Sequence, residues 1–266
     1  MVSGPTTEPT GAVGGGRVHG SLATEVTRVR ALRPERPPRV LDVGGGSGAW
    51  AVPLARLGCA VTVVDNSPDA LAALHRRARD AGVHDLVTPV QGDVDALAEV
   101  APAGGADLVL GHNLLEVVDD AAAAVAALTT ATAVGGLVSV LVPGRYAAVL
   151  ARTLSGKLAE ARALLTAPDG RFGADDPLRR RLDAATLREL LEAGGALQVE
   201  VLQGDGVLEG WVPGAVCDGG PAIVREVAEL EGLAAAAPPL LEVAARLHAL
   251  ARHGGQRRPG APFSTP

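Results

Sequence analysis

Short apolar runs alternate with longer stretches of helical spacing between residues 39 and 142. Strands are expected at 39–43, 60–64, 86–90, 106–110 and 137–142, all rich in Val, Leu and Ala. Between them, apolar positions repeat every three or four residues over 49–57, 68–81 and 121–131, the period of a helix with one buried face. Alternation of this kind builds a parallel sheet with crossover helices. Upstream, Leu22, Val26, Val29 and Leu32 predict a helix opened by Ser21 as its cap and ended by Pro34, Pro37 and Pro38. Downstream, 143–183 is expected to hold one long helix, 146–165, and then a polar loop. A helix at 184–193, a strand at 197–202, a loop at 204–220 and a helix at 222–233 follow. By propensity alone 240–250 reads as helix.

The junctions carry the candidate chemistry. The first strand runs into Asp42-Val43-Gly44-Gly45-Gly46-Ser47-Gly48, where glycines predict a tight turn into a helix with backbone N–H groups free to meet a ligand closely. A carboxylate two residues before the first glycine repels a pyrophosphate and attracts a cation. Asp65 ends the second strand about 20 residues on, the place for a group that binds ribose hydroxyls. Its alternative role is at the helix start opened by Asn66-Ser67-Pro68. Gln91-Gly92-Asp93-Val94 follows the third strand, with Asp93 either facing a ligand or capping a short helix.

The fourth strand leads into Gly111-His112-Asn113-Leu114-Leu115-Glu116, so His112 and Glu116 fall at the carboxyl end of the sheet, where ligands of doubly wound folds bind. A histidine there also serves merely to tie down a turn. The run Arg179-Arg180-Arg181 is either solvated surface or a grip for a phosphate or carboxylate.

At 266 residues the chain is one large α/β domain, expected over 18–252 with 143–183 as a substrate-side insertion, between disordered tails at 1–17 and 253–266. The net charge of −6 leaves no global basic field for nucleic acid. Cys59 and Cys217 lack metal-ligand spacing and read as small apolar residues in a reducing cytoplasm; no metal site is expected. Residues 121–142 carry no charge, yet Thr129, Thr130, Thr132 and Gly135-Gly136 argue for helix, turn and strand rather than a membrane span.

The pattern from Asp42 to Gly48, with Asp65 and Asp93, resembles the first motifs of the class I (Rossmann-like) S-adenosylmethionine-dependent methyltransferases. The resemblance implies a seven-stranded, mostly parallel sheet with helices on both faces and an antiparallel last strand at 246–251, against the helical propensity there. It implies S-adenosyl-L-methionine as cofactor, held by Asp42, Gly44, Gly45, Gly46, Gly48, Asp65, Asn66, Asp93, Val94 and His112, with Asp93 accepting from the adenine amine. The expected activity is methyl transfer to an oxygen or nitrogen acceptor, with His112 and Glu116 nearest the chemistry. Arg179, Arg180 and Arg181 would orient an anionic acceptor, a carboxylate being one that needs no base. A non-catalytic cofactor-binding module is the alternative from another class.

Looser stretches, His112-Asn113-Leu114-Leu115-Glu116, Arg179 to Leu182, Glu229-Leu230-Glu231 and 247–252, are similar to the tRNA 5-carboxymethoxyuridine methyltransferases. That branch carries basic residues where this chain has His19 and Ala23, and a basic and aromatic pair where 204–210 has neither. Either a small molecule or a tRNA therefore stands as the acceptor.

Overall fold

The computed structural model describes residues 16–208, 211–213, 216 and 218–254. The first strands and helices alternate as their apolar periods require: α1 (Gly16–Leu32), β1 (Arg39–Val43), α2 (Ala51–Arg56), β2 (Ala60–Asp65), α3 (Pro68–Asp80), β3 (Val87–Gln91), α4 (Leu97–Val100), β4 (Ala106–His112), α5 (Ala121–Ala131) and β5 (Thr132–Pro143). Then come α6 (Arg145–Leu154), α7 (Leu158–Thr166), α8 (Ala184–Glu192), β6 (Leu197–Asp205), α9 (Pro221–Ala234), α10 (Pro238–Leu241) and β7 (Arg246–His253). The strands form one sheet in the order β3-β2-β1-β4-β5-β7-β6. All neighbours are parallel except β7, which runs antiparallel to both β5 and β6.

Alternation along each strand divides the core between the two sheet faces. Val40, Leu108, Leu110, Leu137 and Leu141 pack with Val18 and Leu22 of α1, Leu54 of α2 and Leu74 of α3. Leu41, Val43, Val109, Val138 and Val140 pack on the other face with Leu97, Leu128 and Leu187. The crossover at β1 and β4 is the switch point of this doubly wound order, and the loops at the carboxyl ends of those strands frame the site.

Several expectations are corrected. Helix α1 begins by Gly16, so Ser21 lies inside it and does not cap it, and Leu32 is exposed. Strand β5 starts at Thr132 instead of after a turn, because the chain passes Gly135 (φ 81°) as an irregularity within the strand. The single helix at 146–165 is two, interrupted at Gly156 (φ 73°). Strand β6 extends to Asp205, into the expected loop. The last segment is the strand of the family pattern, not the helix of local propensity. Arg17 and His253 belong to α1 and β7 rather than to tails; residues 1–15 and 255–266, like Cys217, lie outside the described residues. Cys59 is buried. Among the described residues no helix is long and apolar enough to cross a membrane, and no cluster suited to a metal ion occurs.

Candidate active site

A cavity of about 200 Å³ opens at the carboxyl ends of β1, β2 and β4. Gly44, Asp65, Asn66, Asp93 and Val94 line it together with Gly92, Asn113, Leu114 and Val117. Five of the residues expected to hold a cofactor thus share one wall. The Asp93 carboxylate is exposed, accepts from the Asp95 backbone N–H at 3.4 Å and faces the Asn66 amide at 3.4 Å. It is both a cap and a wall of the cavity.

Behind this cavity the glycine loop is set by close packing. Gly48 takes φ 82°, and a Cβ there would stand 2.3 Å from Leu74 Cδ1 on α3. At Gly45 a Cβ would stand 2.5 Å from Asp42 Oδ2. Asp42, on the α1–α3 side of β1 by strand parity, is wholly buried, and neither carboxylate oxygen has a partner among the described residues. Burial first, and the nearby Asp65 charge second, push its carboxyl up to about 7. Asp65 holds the loop itself: Oδ2 accepts from the Gly46 N–H at 2.8 Å and Oδ1 from the Ser67 N–H at 2.8 Å. Ser67, not Asp65, caps α3 by accepting from Ala70 N–H.

His112 is the last residue of β4 and Glu116 lies in the loop beyond it; both are buried. His112 Nε2 meets Ser139 Oγ at 2.7 Å, while its Nδ1 has no partner among the described residues. Burial, reinforced by His248, His19 and Arg246, holds this imidazole well below its ordinary pKa and hence neutral. Burial pushes the Glu116 carboxyl up to about 7 against its own backbone hydrogen bond and Arg180, and Glu116 Oε2 has no partner among the described residues. A carboxyl in that range can give or take a proton at neutral pH.

Two of the three arginines are built into the fold, and the third lies on the surface. The Arg180 guanidinium donates to the carbonyls of Leu115, Val118 and Asp119, the last two at 2.8 Å, pinning the loop that carries Glu116. Arg181 is buried against Asp176 at 2.6 Å and 3.1 Å and lies over the Phe172 ring. Arg179 pairs on the surface with Asp119 at 2.8 Å. The three consecutive side chains diverge, each into its own contact with the protein.

Sequence reasoning missed Asn113, Trp50 and His19. Asn113 takes φ 54°, which an asparagine tolerates better than most residues, and its N–H donates to the Leu141 carbonyl. Asparagine directly after a strand was the signal. His19 stacks on Trp50 at 4.3 Å, and Trp50 meets His112 edge-on at 4.6 Å. In a chain with 2% aromatic residues, a tryptophan directly after the glycine loop marks the spot.

Residues 40–136 match the family described as a methyltransferase domain. Over 176 residues the chain is 34% identical to the ubiquinone biosynthesis O-methyltransferase of Methylocella silvestris, covering 62% of this chain and 63% of that protein. It is 36% identical over 110 residues to ribosomal RNA small subunit methyltransferase J of Laribacter hongkongensis, covering 36% of this chain and 39% of that protein. The chain thus spans less than two thirds of the length of either relative. The fold is shared with magnesium protoporphyrin IX methyltransferase from Synechocystis PCC 6803 with bound SAH, at TM-score 0.54 and 12% identity, over 88% of this chain and 84% of that one. It is shared also with the plantazolicin methyltransferase BamL, again with SAH, at TM-score 0.54 and 13% identity, over 89% and 85%.

Residues 40–136 are thus similar to a methyltransferase domain, and the chain shares the fold of class I (Rossmann-like) S-adenosylmethionine-dependent methyltransferases. S-adenosyl-L-methionine is the cofactor of that class.

Proposed function

We propose that this protein transfers the methyl group of S-adenosylmethionine to an oxygen of a small-molecule acceptor, a carboxylate or another readily ionised oxygen. One observation carries the reading: Asp42 is buried beside the glycine loop with both carboxylate oxygens unpartnered among the described residues, an arrangement that suits a cationic ligand and not a pyrophosphate. Asp65 retains lone pairs for ribose hydroxyls while holding Gly46 and Ser67, and Asp93 with the Val94 N–H suits the adenine edge. When bound, the cofactor supplies an electrophilic methyl on a sulfonium. The protein's part is to hold an acceptor in line with that methyl, and proximity and alignment of this kind contribute roughly 7–11 kcal/mol. Glu116 stands ready to take a proton from an acceptor that arrives protonated, and His112 orients the oxygen. That the curated relative from Methylocella silvestris is named an O-methyltransferase favours oxygen as the acceptor atom. The net charge of −6 and the commitment of Arg180 and Arg181 to the fold favour a small acceptor over a tRNA.

The experiment is to incubate the protein and labelled cofactor separately with a metabolite fraction and a tRNA fraction from the host. Label in an alkali-labile or ether-type metabolite product is expected. Label in tRNA would replace the small acceptor, and tight cofactor binding with no transfer to either fraction would point to a non-catalytic module.

A further inference from the structure

A line of hydrogen-bonded side chains crosses the sheet beside the site and ends on α1. Strand parity sets His112 of β4, Ser139 of β5 and His248 of β7 on the face covered by α1, α2 and α3, and Gln203 of β6 is the cross-strand partner of His248. His112 Nε2 is 2.7 Å from Ser139 Oγ, and Ser139 Oγ is 2.9 Å from His248 Nε2. His248 Nδ1 is 2.9 Å from Gln203 Nε2, which also reaches Ser21 Oγ at 3.1 Å. Ser139 and His248 are fully buried, and His112 and Gln203 nearly so.

Such a line has few proton arrangements, because a hydroxyl and a neutral imidazole each carry one hydrogen and every link orients the next. Burial keeps both imidazoles neutral. The amide nitrogen of Gln203 is a donor only, so His248 Nδ1 must accept and its hydrogen sits on Nε2. That N–H donates to Ser139 Oγ, leaving the serine hydrogen to go to His112 Nε2. The hydrogen of His112 is thereby forced onto Nδ1, the buried atom without a partner among the described residues.

We propose that Ser139, His248 and Gln203 are positioning residues that lock His112 as the Nδ1–H tautomer, so that it offers a hydrogen-bond donor and not a base. His112 is followed directly by Asn113 and Leu114, which line the cavity. Within the methyl-transfer reading, on which this step rests, a donor there matches an oxygen that arrives already ionised, a carboxylate or phenolate, and not an alcohol that has to give up a proton to a histidine. The same line carries the seat of α1 through Ser21 to the end of β4.

The tautomer is measurable without any substrate, so its failure is separate from failure of the methyl-transfer reading. In the full-length protein labelled with ¹⁵N-histidine, long-range nitrogen–proton correlation spectra show which ring nitrogen bears the hydrogen. His253 is an internal standard, since its Nδ1 faces the Thr132 carbonyl oxygen at 2.9 Å and must carry a hydrogen. His112 is expected to show a single Nδ1–H pattern like that of His253. In Ser139→Ala, and independently in Gln203→Met, His112 is expected to lose that single pattern while His253 keeps its own, which also reports that the sheet is intact. An Nε2–H pattern for His112 in the unmodified protein, as a reversed Gln203 amide would impose, overturns the proposal. So does an unchanged His112 in Ser139→Ala with His253 preserved.

Discussion

Replacing Asp42 by asparagine should make the ligand-free protein more stable while weakening its hold on the cofactor. The carboxyl of Asp42 is raised from 3.8 to about 7, chiefly by burial. At about 1.4 kcal/mol for each pKa unit, ionising it in the folded protein costs on the order of 4 kcal/mol relative to the unfolded chain. The sign follows from proton binding. The folded state holds this proton more tightly, so the cost is absent below pH 3.8, grows as the pH rises towards 7 and is complete above it. Asparagine occupies the same volume without the charge, although its amide is buried unpartnered and gives back about 1–3 kcal/mol. The clean quantity is therefore the pH dependence of the difference between the two proteins. Urea unfolding extrapolated to water should show the advantage of Asp42→Asn shrinking by about 2–3 kcal/mol between pH 8 and pH 5. Titration calorimetry at pH 7 adds a second reading: a cation placed beside a half-protonated Asp42 expels its proton, so the observed binding enthalpy should vary with the ionisation enthalpy of the buffer. A stability difference that is the same at both pH values, with a buffer-independent binding enthalpy, would refute the reasoning.

Asp65→Ala removes the acceptor of the Gly46 and Ser67 N–H groups along with the proposed ribose contact, and should weaken cofactor binding by at least tenfold in calorimetry while the protein stays folded. Arg181→Ala leaves Asp176 buried without its partner and should cost about 3–5 kcal/mol in urea unfolding, with cofactor affinity unchanged; a large rise in acceptor KM without loss of stability would restore the substrate-gripping role. The His248 pKa is lowered to about 4 by burial, so the unfolded chain takes up this proton first. Stability from this group is complete above pH 6.5 and falls by about 3 kcal/mol as the pH drops towards 4, and His248→Gln should flatten that part of the profile.

The parallel strands and their crossover helices were legible because each is a short apolar run or a clear helical period, and these two periods do not imitate each other. The wall of the cavity was legible for a related reason: glycines and acids at strand ends sit where backbone geometry leaves little choice of residue. Elsewhere local signals pointed the wrong way. Leu247, Ala249 and Ala251 belong to residue types that favour helix, and only pairing with β5 and β6 makes them a strand. Nothing in the spacing of Arg179, Arg180 and Arg181 reveals that they diverge, since the partners Asp119, Leu115 and Asp176 are chosen by the path of two loops. The line from Ser21 to His112 draws on five separate elements, and no local pattern in the chain announces it.

The position of β7 between β5 and β6 sets an order of assembly during synthesis. Among the described residues, strand β6 is hydrogen-bonded within the sheet to β7 alone, so when residues 197–205 leave the ribosome they have no strand to join. The long edge of β5, with its apolar face, stays open until residues 246–253 arrive and fill the gap from both sides. Because β7 also brings His248, the hydrogen-bonded line to His112 closes in the same step that seals the sheet. A nascent chain stopped short of β7 would hold the complete cavity wall at the ends of β1, β2 and β4 and still present two unmatched strand edges, a form for chaperones to shelter and for proteases to find.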